Sequence, residues 1–100
     1  MDIENIAGIN EHDYERFRTL LTTALPPDYQ MWLRVRDRGK LRALRECGVI
    51  LSEIDVSPAE FWAYCRGVQR RDFSIRALDL CAQAKGAARG KAVEQAARSP

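Results

Sequence analysis

The sequence predicts an all-α fold: a compact single-domain bundle of four to five short helices, followed by a flexible C-terminal tail. Apolar residues recur every three or four positions, typical helix-end residues flank these segments, and the one segment that could form a strand has no obvious partner. The 100 residues, 46% hydrophobic and 30% charged, suffice for one core but not for two. The domain is expected to cover residues 1–85, and the alanine- and charge-rich residues 86–100 are expected to fray or be disordered.

The first helix is predicted to begin at Glu11. Asn10 is a typical N-cap, and acidic residues in the first turn favour the helix dipole. Pro26 and Pro27 are expected to end this helix, because proline cannot donate a backbone hydrogen bond. The inward face is expected to carry Tyr14, Phe17, Leu21 and Ala24.

The middle of the chain is harder to assign. Residues 28–38 fit a helix or a strand, and we favour the helix because a single strand would have no partner. Gly39 is expected to interrupt the pattern. A short helix is predicted over residues 40–47, closed by Gly48, and residues 49–56 are expected to contribute one helical turn.

Two more helices are predicted in the second half of the chain. Ser57, Pro58 and Glu60 have the spacing of an N-cap, a first helical residue and the acid of a capping box, and this helix should end near Gly67. The last helix is predicted over residues 72–85.

Several classes of protein are disfavoured. No apolar run approaches the roughly 20 residues that cross a bilayer, and the acidic N-terminus does not resemble a signal peptide, so a cytoplasmic location in the host cell is expected. Cys47, Cys65 and Cys81 are widely spaced and odd in number, which predicts reduced core residues and no metal site. His12, the single histidine, has no identifiable nucleophile beside it, and no catalytic or cofactor-binding motif occurs. We therefore expect no enzymatic activity and no cofactor.

Charge is arranged in blocks of alternating sign, although the net charge is only +2. Residues 1–15 contain five acidic residues and no lysine or arginine. Residues 16–45 are basic, residues 46–64 acidic and residues 65–100 basic. Such patches steer charged partners more than they determine folds, so we expect a macromolecular partner.

The acidic opening segment is the first candidate binding surface. It could compete for a nucleic-acid groove on another protein, because such a groove is built to attract phosphates. The alternative is an ordinary solvated helix start. The candidate residues are Glu4, Glu11, Asp13 and Glu15.

A basic run supplies the second candidate surface. It begins with Arg34, Arg36 and Arg38 and continues through Lys40, Arg42 and Arg45. Four of these arginines, at positions 34, 38, 42 and 45, would share a face only if one helix continued through Gly39. Tyr29 and Trp32 could stack on bases nearby, which makes direct nucleic-acid binding a second, less favoured interpretation beside an ordinary solvated face.

Trp62 and Arg66 form the third candidate. They lie four residues apart, beside the predicted core face of their helix, and Trp and Arg are the residues most often found as interface anchors. The alternative is that they cover the edge of a small core.

A helix-turn-helix over residues 41–54 is the alternative functional interpretation, and it would make the protein a DNA-binding transcriptional regulator. Its second helix would present Glu53 and Asp55 to DNA and would be cut short at Ser57-Pro58. Carboxylates repel phosphates, so this interpretation ranks second.

The compact chain, its acidic opening DIENIAGINEHDYERF and the absence of an enzymatic motif together resemble the small phage-encoded anti-CRISPR proteins that inhibit type I effector complexes, particularly type I-F. The resemblance implies a stoichiometric inhibitor that docks on the RNA-guided surveillance complex and denies it target DNA. The basic run departs from the strongly acidic members of that family. It suggests insertion at a subunit junction, where both signs of charge are present.

Overall fold

The computed structural model describes the backbone of residues 2–69 and 71–98, and their side chains as far as Gly90. The elements are β1 (Asp2–Gly8), α1 (Glu11–Leu20), α2 (Tyr29–Cys47), β2 (Val49–Asp55), α3 (Pro58–Gly67) and α4 (Ile75–Arg98). The fold is mixed α/β, so the predicted all-α class is wrong.

The two strands form a parallel sheet against which α2 and α4 pack. They pair in register from Asp2 opposite Val49 to Gly8 opposite Asp55. Parallel neighbours need a long crossover connection, and α1 and α2 supply it. Helix α4 contacts both strands, and α2 contacts β2. The turn of helix expected at residues 49–56 is wrong, because residues 49–55 form strand β2. The local sequence does not indicate this strand, because its partner, β1, lies almost 50 residues earlier in the chain.

The strand assignment also removes the predicted helix-turn-helix. Its second helix would have to occupy residues 49–55, and these residues form β2. Gly48 does end the preceding helix, in the left-handed conformation with φ of 67°. It leads into a strand and not into a recognition helix.

The helix favoured for residues 28–38 is confirmed, but the predicted interruption at Gly39 is wrong. Helix α2 is continuous for 19 residues, and the Asp28 side chain caps it by accepting a hydrogen bond from the Gln30 amide at 3.0 Å. A glycine inside a helix costs about 0.5–1 kcal/mol relative to alanine. Burial of Trp32, which is 4% exposed, can offset that cost.

The starts of α1 and α3 are confirmed. Helix α3 has the full capping box, in which Ser57 Oγ accepts from the Glu60 amide at 3.1 Å and Glu60 Oε1 accepts from the Ser57 amide at 3.0 Å. Helix α1 ends at Leu20, six residues before the first of the prolines predicted to end it.

Helix α4 differs from the prediction at both ends. It begins at Ile75, three residues late, and it continues past the expected end at Lys85 to Arg98. Gly86 lies inside it, where an added Cβ would collide with the Asn5 amide and Ile54 Cδ1 of the sheet. The expected fraying of residues 86–100 stays a prediction, and residues 99–100 lie outside the described part of the chain.

The core is formed by buried side chains of β1 and of all four helices. Its aromatic rings contact one another: Phe17 and Phe61 have centroids 6.2 Å apart, and Tyr14 meets Tyr29 edge-on at 5.2 Å. The largest fully buried side chains are Tyr14, Phe17, Val56, Phe61 and Leu78.

Asp79 connects three elements. Its Oδ1 atom accepts a hydrogen bond from the Ala7 amide of β1 at 2.9 Å and another from Arg36 Nη2 of α2 at 2.8 Å. The Arg36 guanidinium also lies over the ring of Trp32, 4.5 Å from its centroid. This contact fixes α2 against α4 and the sheet, and it determines which face of α2 remains outside.

Candidate functional site

The exposed face of α2 carries a stripe of arginines and apolar residues, which we call the arginine stripe. Because α2 is continuous, residues three or four positions apart lie on one side of it. At 1.5 Å per residue, the stripe extends roughly 21 Å from its first residue to its last. Its members, all exposed, are Met31, Arg34, Val35, Arg38, Leu41, Arg42 and Arg45.

The stripe is strongly cationic. Within the residues that the structure describes, Arg34, Arg38 and Arg45 form no ion pair or hydrogen bond. Arg42 Nε lies 3.5 Å from Glu46 Oε1, but these side chains are 78% and 66% exposed. An exposed pair of this kind contributes little, so the guanidinium groups remain available to a partner.

The apolar members of the stripe were not singled out from the sequence. Met31, Val35 and Leu41 are each about half exposed, at 49%, 51% and 47%. Met31 and Val35 line a shallow hollow of about 380 Å³ together with Pro26, Arg34 and Arg38. Met31 and Val35 precede Gly39, so the helix favoured for residues 28–38 already places them beside Arg34 and Arg38. Only Leu41 requires a helix that continues through Gly39.

Arg36 does not belong to the exposed face, although the sequence made it a candidate. Its side chain is 14% exposed and is held by Asp79 and by the Trp32 ring. The predicted stacking residues also point inward. Trp32 is buried, and the Tyr29 hydroxyl donates to the Ile9 carbonyl at 2.7 Å. Burial raises the pKa of Tyr29, so this hydroxyl stays protonated.

The acidic candidates lie on different elements. Glu4 is in β1, four residues before Gly8, so about 13 Å of extended chain separate the two. Glu11 and Glu15 are exposed on α1, and Glu15 accepts two hydrogen bonds from Arg18 Nη1, at 3.0 and 3.1 Å.

Asp13 is less accessible than its acidic neighbours. Its side chain is 19% exposed, and its Oδ2 atom lies 3.7 Å from Nε2 of His12. Glu4 and Glu11 have no hydrogen bond or ion pair within the part of the chain that the structure describes. The free negative charge of the opening segment is thus divided between β1 and the first turn of α1.

Trp62 and Arg66 are both exposed on α3. Trp62 is 47% exposed, and its ring stacks on Phe73 with centroids 5.3 Å apart and planes inclined by 17°. An open groove of about 1040 Å³ lies between α1 and α3 beside this ring.

Chemically reactive groups are few. Across residues 2–69 and 71–90, no three His, Cys, Asp or Glu side chains are arranged to hold a metal ion. Cys65 and Cys81 are buried, and burial raises the pKa of Cys81 to about 11, so its thiol is protonated at neutral pH. Cys47 is exposed, and its predicted place in the core is wrong because it occupies the last turn of α2.

Comparison with known proteins gives no relative: no family model matches the chain, and neither a curated protein nor a solved structure matches it significantly. In the part of the chain that is described, none of the helices combines the length and the apolar character needed to span a membrane.

Proposed function

We propose that this is a non-enzymatic binding protein, which docks through the arginine stripe on an acidic surface of a partner protein. The observation that carries the proposal is the position of Arg34, Arg38 and Arg45 beside half-exposed apolar side chains on one continuous helix, where these arginines have no partner among the described residues. The inner face of α2 is held by the sheet and by Asp79, so the outer face is presented in a fixed orientation.

The composition of the stripe favours a protein over a nucleic acid as its ligand. Protein interfaces are enriched in Arg and Met and depleted in Lys, and the stripe has four arginines and no lysine. Phosphate contacts would use the arginines but would leave Met31, Val35 and Leu41 without a partner. An amphipathic groove lined with carboxylates satisfies both kinds of residue.

The partner that the sequence resemblance implies is a type I CRISPR effector complex in the host cytoplasm. In this narrower proposal the protein inhibits the complex by denying it target DNA. The arginine stripe would contact acidic protein surface at a subunit junction. Glu11, exposed on α1, would face the basic surface that normally receives nucleic acid.

A charge-reversal comparison tests the docking surface. The test variant is Arg34→Glu/Arg38→Glu, and the control is Arg76→Glu/Arg89→Glu, which changes the net charge equally at exposed positions of α4. Capture from the native host with the wild-type protein as bait identifies the partner. We expect the test variant to bind it roughly 30-fold or more weakly, the loss of at least one interface hot spot, and the control to bind normally. Equal binding by both variants would contradict the proposal.

The narrower proposal has a separate test. Purified type I-F effector complex is assayed for target DNA binding with and without this protein. We expect stoichiometric inhibition that Arg34→Glu/Arg38→Glu weakens. If Glu11→Lys/Glu15→Lys abolishes inhibition and the stripe variant retains it, the acidic face of α1 is the docking surface. No inhibition at a stoichiometric excess excludes this partner.

A further inference from the structure

A second surface, remote from the arginine stripe in the chain, centres on Trp62 and Phe73. The two rings stack with an interplanar angle of 17°, and they line both the groove between α1 and α3 and an adjoining hollow of about 340 Å³. We call the combined depression the Trp62 cleft. Trp32 is buried, so Trp62 is the exposed one of the two tryptophans.

Helical spacing opens the cleft beside Trp62. On α3, Pro58 and Ala59 precede the tryptophan by one turn, and their small side chains leave its ring accessible from the groove. On α1, Thr19 and Leu20 line the opposite wall. The result is an open depression lined in part by the rings of Trp62 and Phe73, in which a flat ring can lie against Trp62.

Three arginines line the cleft together with its aromatic rings. Arg16 lines the groove on the α1 side, and Arg66 and Arg71 line the adjoining hollow. All three are exposed, and within the described residues none forms an ion pair or hydrogen bond.

The carboxylates near the cleft accept hydrogen bonds from other residues of the protein. Glu15 lines the groove, but its two oxygens accept from Arg18 Nη1. Asp72 follows Arg71 and accepts hydrogen bonds from the amide and hydroxyl of Ser74, both at 3.0 Å. Three arginines and one carboxylate, that of Glu15, line the cleft, so its net charge is positive.

We propose that the Trp62 cleft binds a segment of single-stranded nucleic acid. An exposed aromatic ring stacks on a base whatever its identity, and free arginines at both sides of the ring neutralise the flanking phosphates. A duplex keeps its bases stacked on each other and cannot use the ring. An acidic peptide satisfies the arginines but leaves the flat face of Trp62 without a matching group. The proposal uses no residue of the arginine stripe, so it stands or falls independently of the function proposed above.

The test is a titration of the full-length protein with a 15-nucleotide oligothymidylate, followed by tryptophan fluorescence and by anisotropy of the labelled oligonucleotide. We expect quenching of Trp62 emission and an affinity that falls steeply with added salt. Trp62→Ala should weaken binding roughly 5- to 150-fold, the range for losing one base stack. Arg66→Glu/Arg71→Glu should also weaken it, and this variant changes exposed side chains only.

Three controls make the outcome decisive. Arg34→Glu/Arg38→Glu should retain the affinity for oligothymidylate within about twofold, because it alters only the stripe. A 15-base-pair duplex and poly-L-glutamate should not quench Trp62. The proposal is overturned if oligothymidylate does not bind, if Trp62→Ala and Arg66→Glu/Arg71→Glu both bind it as well as the wild type, or if poly-L-glutamate quenches Trp62 equally. The last result would assign the cleft to an acidic protein segment.

Discussion

Replacing Asp79 with alanine should destabilise the protein more than most single substitutions. Its carboxylate is the acceptor for the Ala7 amide and for Arg36, and the side chains of Asp79 and Arg36 are only 24% and 14% exposed. Asp79→Ala leaves the partly buried guanidinium without its counter-charge and the strand amide without an acceptor. The Nε atom of Arg36 is already buried without a hydrogen-bond partner, so this guanidinium has no alternative acceptor in place.

The expected magnitude follows from the partial burial of the pair. Removing one partner of a fully buried ion pair costs about 3–5 kcal/mol, and because Arg36 and Asp79 are only partly buried we expect a loss of about 3 kcal/mol at most. For a domain of this size that loss lowers Tm by roughly 12–24 °C. Asp79→Asn keeps an acceptor for the Ala7 amide and should cost less, about 1–2 kcal/mol.

Urea unfolding, followed by circular dichroism and tryptophan fluorescence, measures these values. Arg36→Met removes the cation but keeps an apolar stem over Trp32, so a double-mutant cycle with Asp79→Ala isolates the pair. We expect a coupling free energy of about 1 kcal/mol or more. A loss below about 1 kcal/mol for Asp79→Ala, with an unchanged m-value, would refute the role given to this contact.

Three further predictions concern packing and ionisable groups. Gly86→Ala should lower the free energy of unfolding by about 1–3 kcal/mol, because the added Cβ would collide with the sheet, whereas Gly39→Ala, whose Cβ meets open space, should raise it by about 0.5–1 kcal/mol. Urea unfolding measures both variants, and stabilisation by Gly86→Ala would contradict the packing of α4. Hydrogen bonds from Lys85 and from the Ser57 amide lower the pKa of Glu60, so the contribution of the Glu60 carboxylate to stability is present at neutral pH and is lost as the pH falls below about 4.5. Between about pH 6 and about pH 3, Glu60→Gln should therefore lose less stability than the wild type in urea titrations, and equal losses would contradict this. Of the three cysteines, Cys47 alone should react quickly with a thiol reagent in the folded protein, and Cys47→Ser should remove this fast phase. A second cysteine that reacts quickly would contradict the burial of Cys65 and Cys81.

The parts of the fold that sequence could predict are those specified by neighbouring residues. The cap at Ser57 depends on side chains within one helical turn, and it is confirmed. Helix α1 also begins after Asn10 as predicted, but the Asn10 side chain forms no capping hydrogen bond. The sheet depends on a partner strand far along the chain. Residues 49–55 read locally as a short apolar run, which periodicity alone cannot distinguish from a helical turn. Only the pairing with residues 2–8 decides for a strand.

The candidate site was predictable to the extent that α2 was. Arg34 and Arg38 are exposed as expected, because residues four apart share a face of a helix. Arg36 lies about 200° around the helix from Arg34, which places it on the side of Trp32. That inward position follows from the helical assignment alone. The carboxylate that compensates for the burial of the Arg36 charge belongs to Asp79, which lies 43 residues later. No local pattern in the sequence indicates this pairing.

The division of α2 into an inner and an outer face separates stability from binding. A lone two-stranded sheet is marginal in water, so β1 and β2 depend on the helices that pack against them. The inner face of α2 is committed to that task through Trp32 and Arg36. Its outer face contributes little to the core, and yet it keeps three half-exposed apolar residues and four arginines. Such a surface contributes little to the stability of the isolated fold, and for this reason we propose that it binds a partner. Substitutions on the outer face should therefore change binding and leave Tm nearly constant, whereas those on the inner face should lower Tm and affect binding only through loss of the fold.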